Sequence, residues 1–333
     1  MGATMTTLPL SIGQTSDSSP VLDYDAHFGA TLSIINTRLE HYLDPDLDPV
    51  LEPKPPAPYA AGLWKAMRYG TLNGGKRIRS VLAIEACKAC GGDIEAILPT
   101  ACAIELVHAQ SLMHDDLPCM DNDDMRRGQP SVHKAFGEST AVLAGDALIA
   151  IAFGLIARET PLVKPVTPER LLAVLADFAD VASIKGLVNG QFVDIFYEGK
   201  PYTQEVLEYI HTYKTGALFR FALMAGARLA GAPAIVMDRF SQIGQKLGLT
   251  FQIVDDLLDI AATSESLGKT AGKDQLQEKA TYPAFFGEVA SANQAEQLAQ
   301  EALALLSIRD DLPASYDPTA LKVLVEFIFR RAR

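Results

Sequence analysis

Ile104-Glu105-Leu106-Val107-His108-Ala109-Gln110-Ser111-Leu112-Met113-His114-Asp115-Asp116-Leu117-Pro118-Cys119-Met120-Asp121 is the stretch that decides the fold. Its apolar residues recur at helical spacing and then run into carboxylates. Pro118 should bend or end the helix, so Asp121 can fold back toward Asp115 instead of following helical phase. A second run, Leu247 to Asp259, has the same character about 140 residues later and ends in Asp255-Asp256-Leu257-Leu258-Asp259. Asp255 and Asp259 are four apart and share a helix face; Asp256 is offset by one position.

Working outward, Ile78–Ala89, Ile97–Met113, Ser139–Arg158, Glu169–Val188 and Thr203–Leu229 all repeat apolar residues at spacings of three and four. Strand alternation is scarce. Breaks fall at Gly91-Gly92, Gly128-Gln129-Pro130, 161–168, 198–201 and 231–233. The expectation is an all-α fold: a single-domain bundle of about ten or more helices spanning 26–333. Residues 1–25, rich in Ser, Thr, Gly and Asp, read as a disordered tail, and Phe28 to Leu43 as a first amphipathic helix. Six prolines between Asp44 and Tyr59 make that segment a loop.

Net charge is −12, with no basic excess to meet a phosphate backbone, so nucleic acid is not expected as a partner. The longest apolar stretch, Ala141 to Ala157, is interrupted by Asp146, so no transmembrane segment is expected. With no basic, apolar leader and no Arg-rich transit pattern, the expectation is a cytoplasmic protein. Cys87-Lys88-Ala89-Cys90 has redox or zinc spacing but lacks a second pair, and reads as small apolar helix residues.

Packed carboxylates repel one another unless a cation joins them, and hard oxygen donors suit Mg²⁺. A solvated acidic face fits the second cluster poorly, because Phe251, Ile253, Val254, Leu257, Leu258 and Ile260 surround it. The first cluster reads equally well as a solvated turn or as a metal site. Two basic groups accompany the acidic ones: Gly74-Gly75-Lys76-Arg77-Ile78-Arg79 and Arg126-Arg127-Gly128. Glycines before a helix let backbone N–H groups approach an anion, and Arg forks match phosphate oxygens. Together the four groups suggest two phosphate sites, one reached through metal and one bound by cations directly.

The combination resembles the trans-isoprenyl diphosphate synthases. The matching runs are GGKRIR at 74–79, His108, SLMHDDLPCMDNDDMRRG at 111–128, LAGDAL at 143–148, NGQ at 189–191, YKTGAL at 213–218, FQIVDDLLD at 251–259, Lys269 and Lys279. They stand in family order over about 25–333, and the run from Ser111 to Arg127 is especially similar to geranylgeranyl diphosphate synthases. Asn189-Gly190-Gln191 is a mild departure from the family's Gly-Gly-Gln, with glycine there serving close packing.

The resemblance implies the isoprenoid synthase fold, helices around a central apolar cavity, and a homodimer. It implies a Mg²⁺-dependent prenyltransferase, with three ions per site, joining isopentenyl diphosphate to allylic diphosphates. Asp115, Asp116, Asp121, Asp255, Asp256 and Asp259 would serve the metal. Arg126, Lys214 and Lys269 would contact the allylic diphosphate; Lys76, Arg79, His108 and Arg127 would hold isopentenyl diphosphate. Thr215 and Gln252 would line the reacting carbons and, with Lys214 and Lys269, make up the catalytic set. His114 reads as a packing residue beside the site, and His133 and His211 as surface or core. The C-terminal Phe329-Arg330-Arg331-Ala332-Arg333 reads first as a solvated basic end, and otherwise as a closure over bound diphosphate.

Gln110 lies five residues before Asp115, roughly 7.5 Å down the helix, with Ser111 beside it. In the short-chain synthases that this sequence resembles, a large aromatic there closes the channel at fifteen carbons. Gln110 is not aromatic, which favours a twenty-carbon product over farnesyl diphosphate, and its amide should need a partner if buried. A class I terpene cyclase would not need the GGKRIR site or DDLLD. A non-catalytic partner subunit would lack intact aspartate clusters.

Overall fold

A computed structural model describes residues 23–44, 59–163, 166–261, 280–309, 312 and 314–331. The described residues are mostly helical, as the periodicity predicts, with one short hairpin. In order come α1 Tyr24–Tyr42, α2 Tyr59–Leu72, α3 Ile78–Ala89 and α4 Ile94–Asp115. A two-stranded hairpin, Met125–Arg126 with Gln129–Pro130, follows. Then come α5 Val132–Phe136, α6 Glu138–Glu159, α7 Pro168–Ala182, α8 Leu187–Tyr197 and α9 Gln204–Ile210. The set closes with α10 Ala217–Ala230, α11 Ala234–Ala261, α12 Tyr282–Phe286, α13 Glu288–Ser307 and α14 Thr319–Arg330.

α4 is the central helix. Nearly every side chain from Ala96 to Val107 is buried, as expected of a helix apolar all round. It packs on α6 and α3; α3 packs on α10, and α10 on α11, so the two aspartate-bearing helices stand on opposite sides of one interior. By length and composition α4 and α6 could each cross a membrane, but 83% of the relevant α4 window is buried inside the protein. It is a core helix. α6 lays one face on α4 and exposes Val142 and Leu143 on the other.

Three boundaries differ from the sequence expectation. α1 begins at Tyr24, because Asp23 Oδ1 accepts from the backbone N–H groups of Asp25 and Ala26 at 3.1 Å. The expected tail therefore overruns the helix start; its residues 1–22 lie outside the described residues. The apolar run Glu169–Val188 is broken at Ser183–Gly186 into α7 and α8. Thr203–Leu229 contains a turn of π-helix, His211–Gly216, between α9 and α10. π-turns of this kind concentrate at functional sites, and this one carries Lys214 and Thr215. Cys87 and Cys90 are free thiols, and burial pushes both up to about 12. They are packing residues.

Candidate active site

A cavity of about 660 Å³ opens between α4, α8, the π-turn and α11. Its first wall is the C-terminal end of α4. The chain reverses after Pro118: the Asp121 N–H donates to the Asp115 carbonyl at 2.8 Å, and the Asp123 N–H to the Asp116 carbonyl at 3.1 Å. Asn122 takes a positive φ of 51° to make the turn. The fold-back expected of Asp121 is present, and Asp115 and Asp121 both line the cavity.

Asp116 behaves differently. It is buried at 1% exposure and accepts a forked pair of bonds from Arg126 Nε and Nη2, the Nε bond at 3.0 Å. Arg126 also reaches Asp123 at 3.3 Å. Burial pushes the Asp116 carboxyl upward against the pull of Arg126, while the same partnership raises Arg126 despite its burial. Asp116 thus holds Arg126 at the cavity rim, and the first cluster divides into two carboxylates that face the cavity and one that anchors a cation.

The second wall is α11. Asp255 faces the cavity. Asp256 is buried and accepts from Gln252 Nε2 at 2.8 Å and from the Tyr282 N–H at 3.0 Å. Thr215 Oγ1 donates to Gln252 Oε1 at 2.7 Å, so Thr215, Gln252 and Asp256 form one chain of bonds. Asp259 is buried and lines a separate hollow with Asp256, Ile260 and Glu288. Although four residues from Asp255, it does not reach the main cavity.

The cations surround these carboxylates. Lys214 Nζ donates to Asp194 Oδ2 at 2.6 Å. Burial alone would lower its pKa, but Asp194, Asp115 and Asp121 outweigh it and hold the ammonium well above the usual lysine value. Gly190 permits the contact: a Cβ there would collide with the Lys214 backbone, so glycine at this position serves close packing. Arg79 is half-buried between the Phe219 and Phe251 rings, at 4.8 and 5.4 Å from their centroids. Desolvation lowers it to about 10, and its Nε is buried without a hydrogen-bond partner. Arg79 Nη1 lies 3.5 Å from His108 Nε2. Burial, then the charges of Arg79, Arg127, Arg77 and Arg126, keep His108 neutral.

Lys76 and Arg127 stand beyond the cavity lining. Lys76 Nζ sits 4.9 Å from the Phe327 centroid. Arg127 donates to Asn73 Oδ1 at 3.0 Å and to the Gly74 carbonyl, lying across Gly75 where a Cβ would strike it. Arg77, from the same basic run, turns inward and pairs with Glu105 at 3.2 Å. It clamps the loop before α3. Lys269 and Lys279 lie outside the described residues.

The donor set fits Mg²⁺. Among the described residues no group of three or more His, Cys, Asp or Glu is assembled to hold an ion. Mg²⁺ binds through one or two carboxylates plus water and substrate phosphates, not through all-protein cages. Asp115 and Asp121 on one wall, and Asp255 on the other, offer that kind of partial shell.

The Polyprenyl synthetase family model matches residues 61–308. The chain belongs to the polyprenyl synthetase family. This polyprenyl synthetase is 49% identical over 241 residues to a geranylgeranyl diphosphate synthase of Cyanophora paradoxa, covering 72% of this chain and 79% of that one. It is 42% identical to a chloroplastic geranylgeranyl pyrophosphate synthase of Catharanthus roseus, covering 92% of this chain and 80% of the relative. Its fold matches a Helicobacter pylori geranyltransferase crystallised with magnesium and isoprenyl diphosphate. That match has a TM-score of 0.76 and 29% identity, covering 94% of this chain and 98% of the other. The isoprenoid synthase fold expected from the resemblance is present.

In this polyprenyl synthetase Asp194 and the site role of His211 escaped the sequence reading, whereas Gln191 and Arg331 were named there without a settled role. Asp194 and Gln191 line the cavity from α8; the signal available was an acid one turn after Asn189-Gly190-Gln191. His211 also lines it, buried, with its ring 5.2 Å from that of Tyr282, and burial lowers it to about 4. Nothing in its sequence surroundings distinguishes it from a core histidine. Arg331, which the sequence left between a solvated end and a closure, meets Asp255 at 3.3 Å, so the described end of α14 turns onto the site.

Proposed function

We propose that this chain condenses isopentenyl diphosphate with allylic diphosphates and releases geranylgeranyl diphosphate. The observation that carries the reading is the opposition, across one cavity, of the Asp115/Asp121 wall and the Asp255 wall, with Arg79 and His108 beside them. One substrate would need only one anion site; two anion-binding surfaces suit two diphosphates.

Asp115, Asp121 and Asp255 would hold Mg²⁺, and three ions per site is the number we propose. When bound, the metal supplies Lewis-acid neutralisation of the leaving diphosphate. Lys214 and Arg126 contact the same diphosphate, and Asp194 keeps Lys214 charged. Arg79, with a buried Nε awaiting an acceptor, binds isopentenyl diphosphate with His108 as a neutral partner; Lys76 and Arg127 approach it from outside. The Thr215–Gln252–Asp256 chain fixes the Gln252 amide, whose oxygen stabilises the allylic cation without the nucleophilicity of a carboxylate. The proton lost after carbon–carbon bond formation goes to the departing diphosphate. Leu187, Val188, Leu218 and Phe251 keep water from the cation.

We also propose a homodimer. Val142 and Leu143 on α6 and Phe196 on α8 are apolar, exposed and outside the cavity lining, which supports a covered face. Incubation with isopentenyl diphosphate, Mg²⁺ and each of dimethylallyl, geranyl and farnesyl diphosphates tests the function. Mass spectrometry should give a twenty-carbon diphosphate. A fifteen-carbon end product would favour the farnesyl alternative, and diphosphate release without isopentenyl diphosphate a cyclase.

A further inference from the structure

Gln110 is 8% exposed, lines the cavity, and has found the partner a buried amide requires: Gln110 Nε2 lies 3.0 Å from His114 Nδ1. The other ring nitrogen, His114 Nε2, lies 3.1 Å from the Val142 carbonyl on α6. A carbonyl can only accept, so Nε2 carries the proton; in the neutral ring Nδ1 then accepts from Gln110 Nε2. Side chains on a helix lean toward its N-terminus, so the ring of His114 comes back over the turn that bears Gln110. Gly145 makes room for it, since a Cβ there would collide with His114 Nε2.

We propose that His114 is a positioning residue for product length, pinning the Gln110 amide along α4 and clear of the growing hydrocarbon. The inference rests on the prenyltransferase reading and adds to it a residue outside the diphosphate machinery. The α8 lining of the cavity is mostly apolar, with Leu187, Val188, Phe192 and Ile195; its polar members are Gln191 and Asp194, and Asp194 is held by Lys214. Released from His114, the amide loses its partner and turns into the space the chain must occupy, so elongation ends earlier.

The test compares the fifteen- to twenty-carbon product ratio, from geranyl diphosphate with isopentenyl diphosphate and Mg²⁺, in four full-length variants. These are His114→Leu, Gly145→Ala, Gln110→Leu and the His114→Leu/Gln110→Leu double. The three atoms nearest a Cβ at Gly145 all belong to the His114 ring, so Gly145→Ala displaces that ring and decides the matter if His114→Leu does not fold. His114→Leu and Gly145→Ala should each raise the ratio roughly fivefold or more, the effect of one buried amide left unpaired. In the Gln110→Leu background, His114→Leu should change nothing further. Unmoved ratios, a shift to longer chains, or an equal shift in the Gln110→Leu background would overturn the proposal. Total isopentenyl incorporation is recorded alongside. Elongation with unmoved ratios sinks this inference alone, whereas a wild type that elongates no starter sinks the synthase reading on which it stands.

Discussion

Arg331 Nη1 lies 3.3 Å from Asp255 Oδ1, and its guanidinium stacks on Phe251 at 3.9 Å from the ring centroid. It also donates to the Phe251 carbonyl at 3.3 Å. Arg331 therefore belongs to the cation group that includes Lys76 and Arg79, and its charge contributes to lowering both. Cations gathered this closely are relieved by an anion. Arg331→Ala should raise KM for isopentenyl diphosphate about tenfold, the loss of one charge-assisted contact, with a smaller change in kcat. Steady-state kinetics varying each substrate in turn checks it. A rise confined to the allylic substrate would place Arg331 with the opposite diphosphate.

Asp115 and Asp116 are neighbours with different tasks. Asp116→Ala strips Arg126 of its buried partner, and breaking such a pair costs about 3 kcal/mol. Its melting temperature should fall clearly in differential scanning fluorimetry. Asp115→Ala should fold as well as wild type and lose turnover, as should the intact enzyme in excess EDTA. Asp115→Ala should lower kcat far more than it changes KM for isopentenyl diphosphate, because the lost interaction acts on the leaving group. Equal stability losses in the two variants would contradict this division.

The helical class and both aspartate walls were legible because apolar spacing and charge clustering are local signals. Which aspartates face the cavity was not. Asp116 and Asp255 each open a DD pair, or close one, and only the hairpin that delivers Arg126 decides that Asp116 turns away. Asp255 and Asp259 share a helix face by spacing, yet α12 and α13 pack along α11, and Asp259 lines a separate hollow with Pro283 and Glu288 instead of the cavity. By residue type alone Arg77 and Arg79 look alike, and only the family resemblance singled out Arg79. A positive φ at Arg77 and the buried Glu105 beneath it separate an inward clamp from a ligand-facing cation. Long-range contacts of this kind leave no trace in periodicity.

Stability should fall on mild acidification, with His108 contributing. Its folded pKa lies well below the usual imidazole value, chiefly through burial and then through the arginines around it. Below about pH 6.5 the unfolded chain takes up a proton that the folded protein refuses, so the contribution is full above that pH and is lost as pH falls. Between pH 7.5 and 5.5 this amounts to at most about 1.4 kcal/mol. Urea unfolding at the two pH values, for wild type and His108→Gln, isolates it: the variant should lose less stability on acidification. An identical loss in both would assign the effect to other groups.

Gln110→Phe should turn a twenty-carbon synthase into a fifteen-carbon one. Gln110 is buried at the cavity wall, one and a half turns of α4 before Asp115, and Ser111 beside it lines the same space. A phenyl ring cannot take the amide's place against His114 Nδ1, and α4 around it is close-packed, with Leu106, Val107 and Met113 buried. The ring must therefore enter the cavity, where the hydrocarbon would extend. Asp115, Asp121, Asp255 and the cations above are untouched, so the first condensations should persist. The measurement is the product distribution from dimethylallyl and farnesyl diphosphates: the variant should convert the first to farnesyl diphosphate and barely extend the second. An unchanged twenty-carbon product would mean that the ring finds space elsewhere. A wild type that itself stops at fifteen carbons would overturn the geranylgeranyl assignment and leave the condensing chemistry in place.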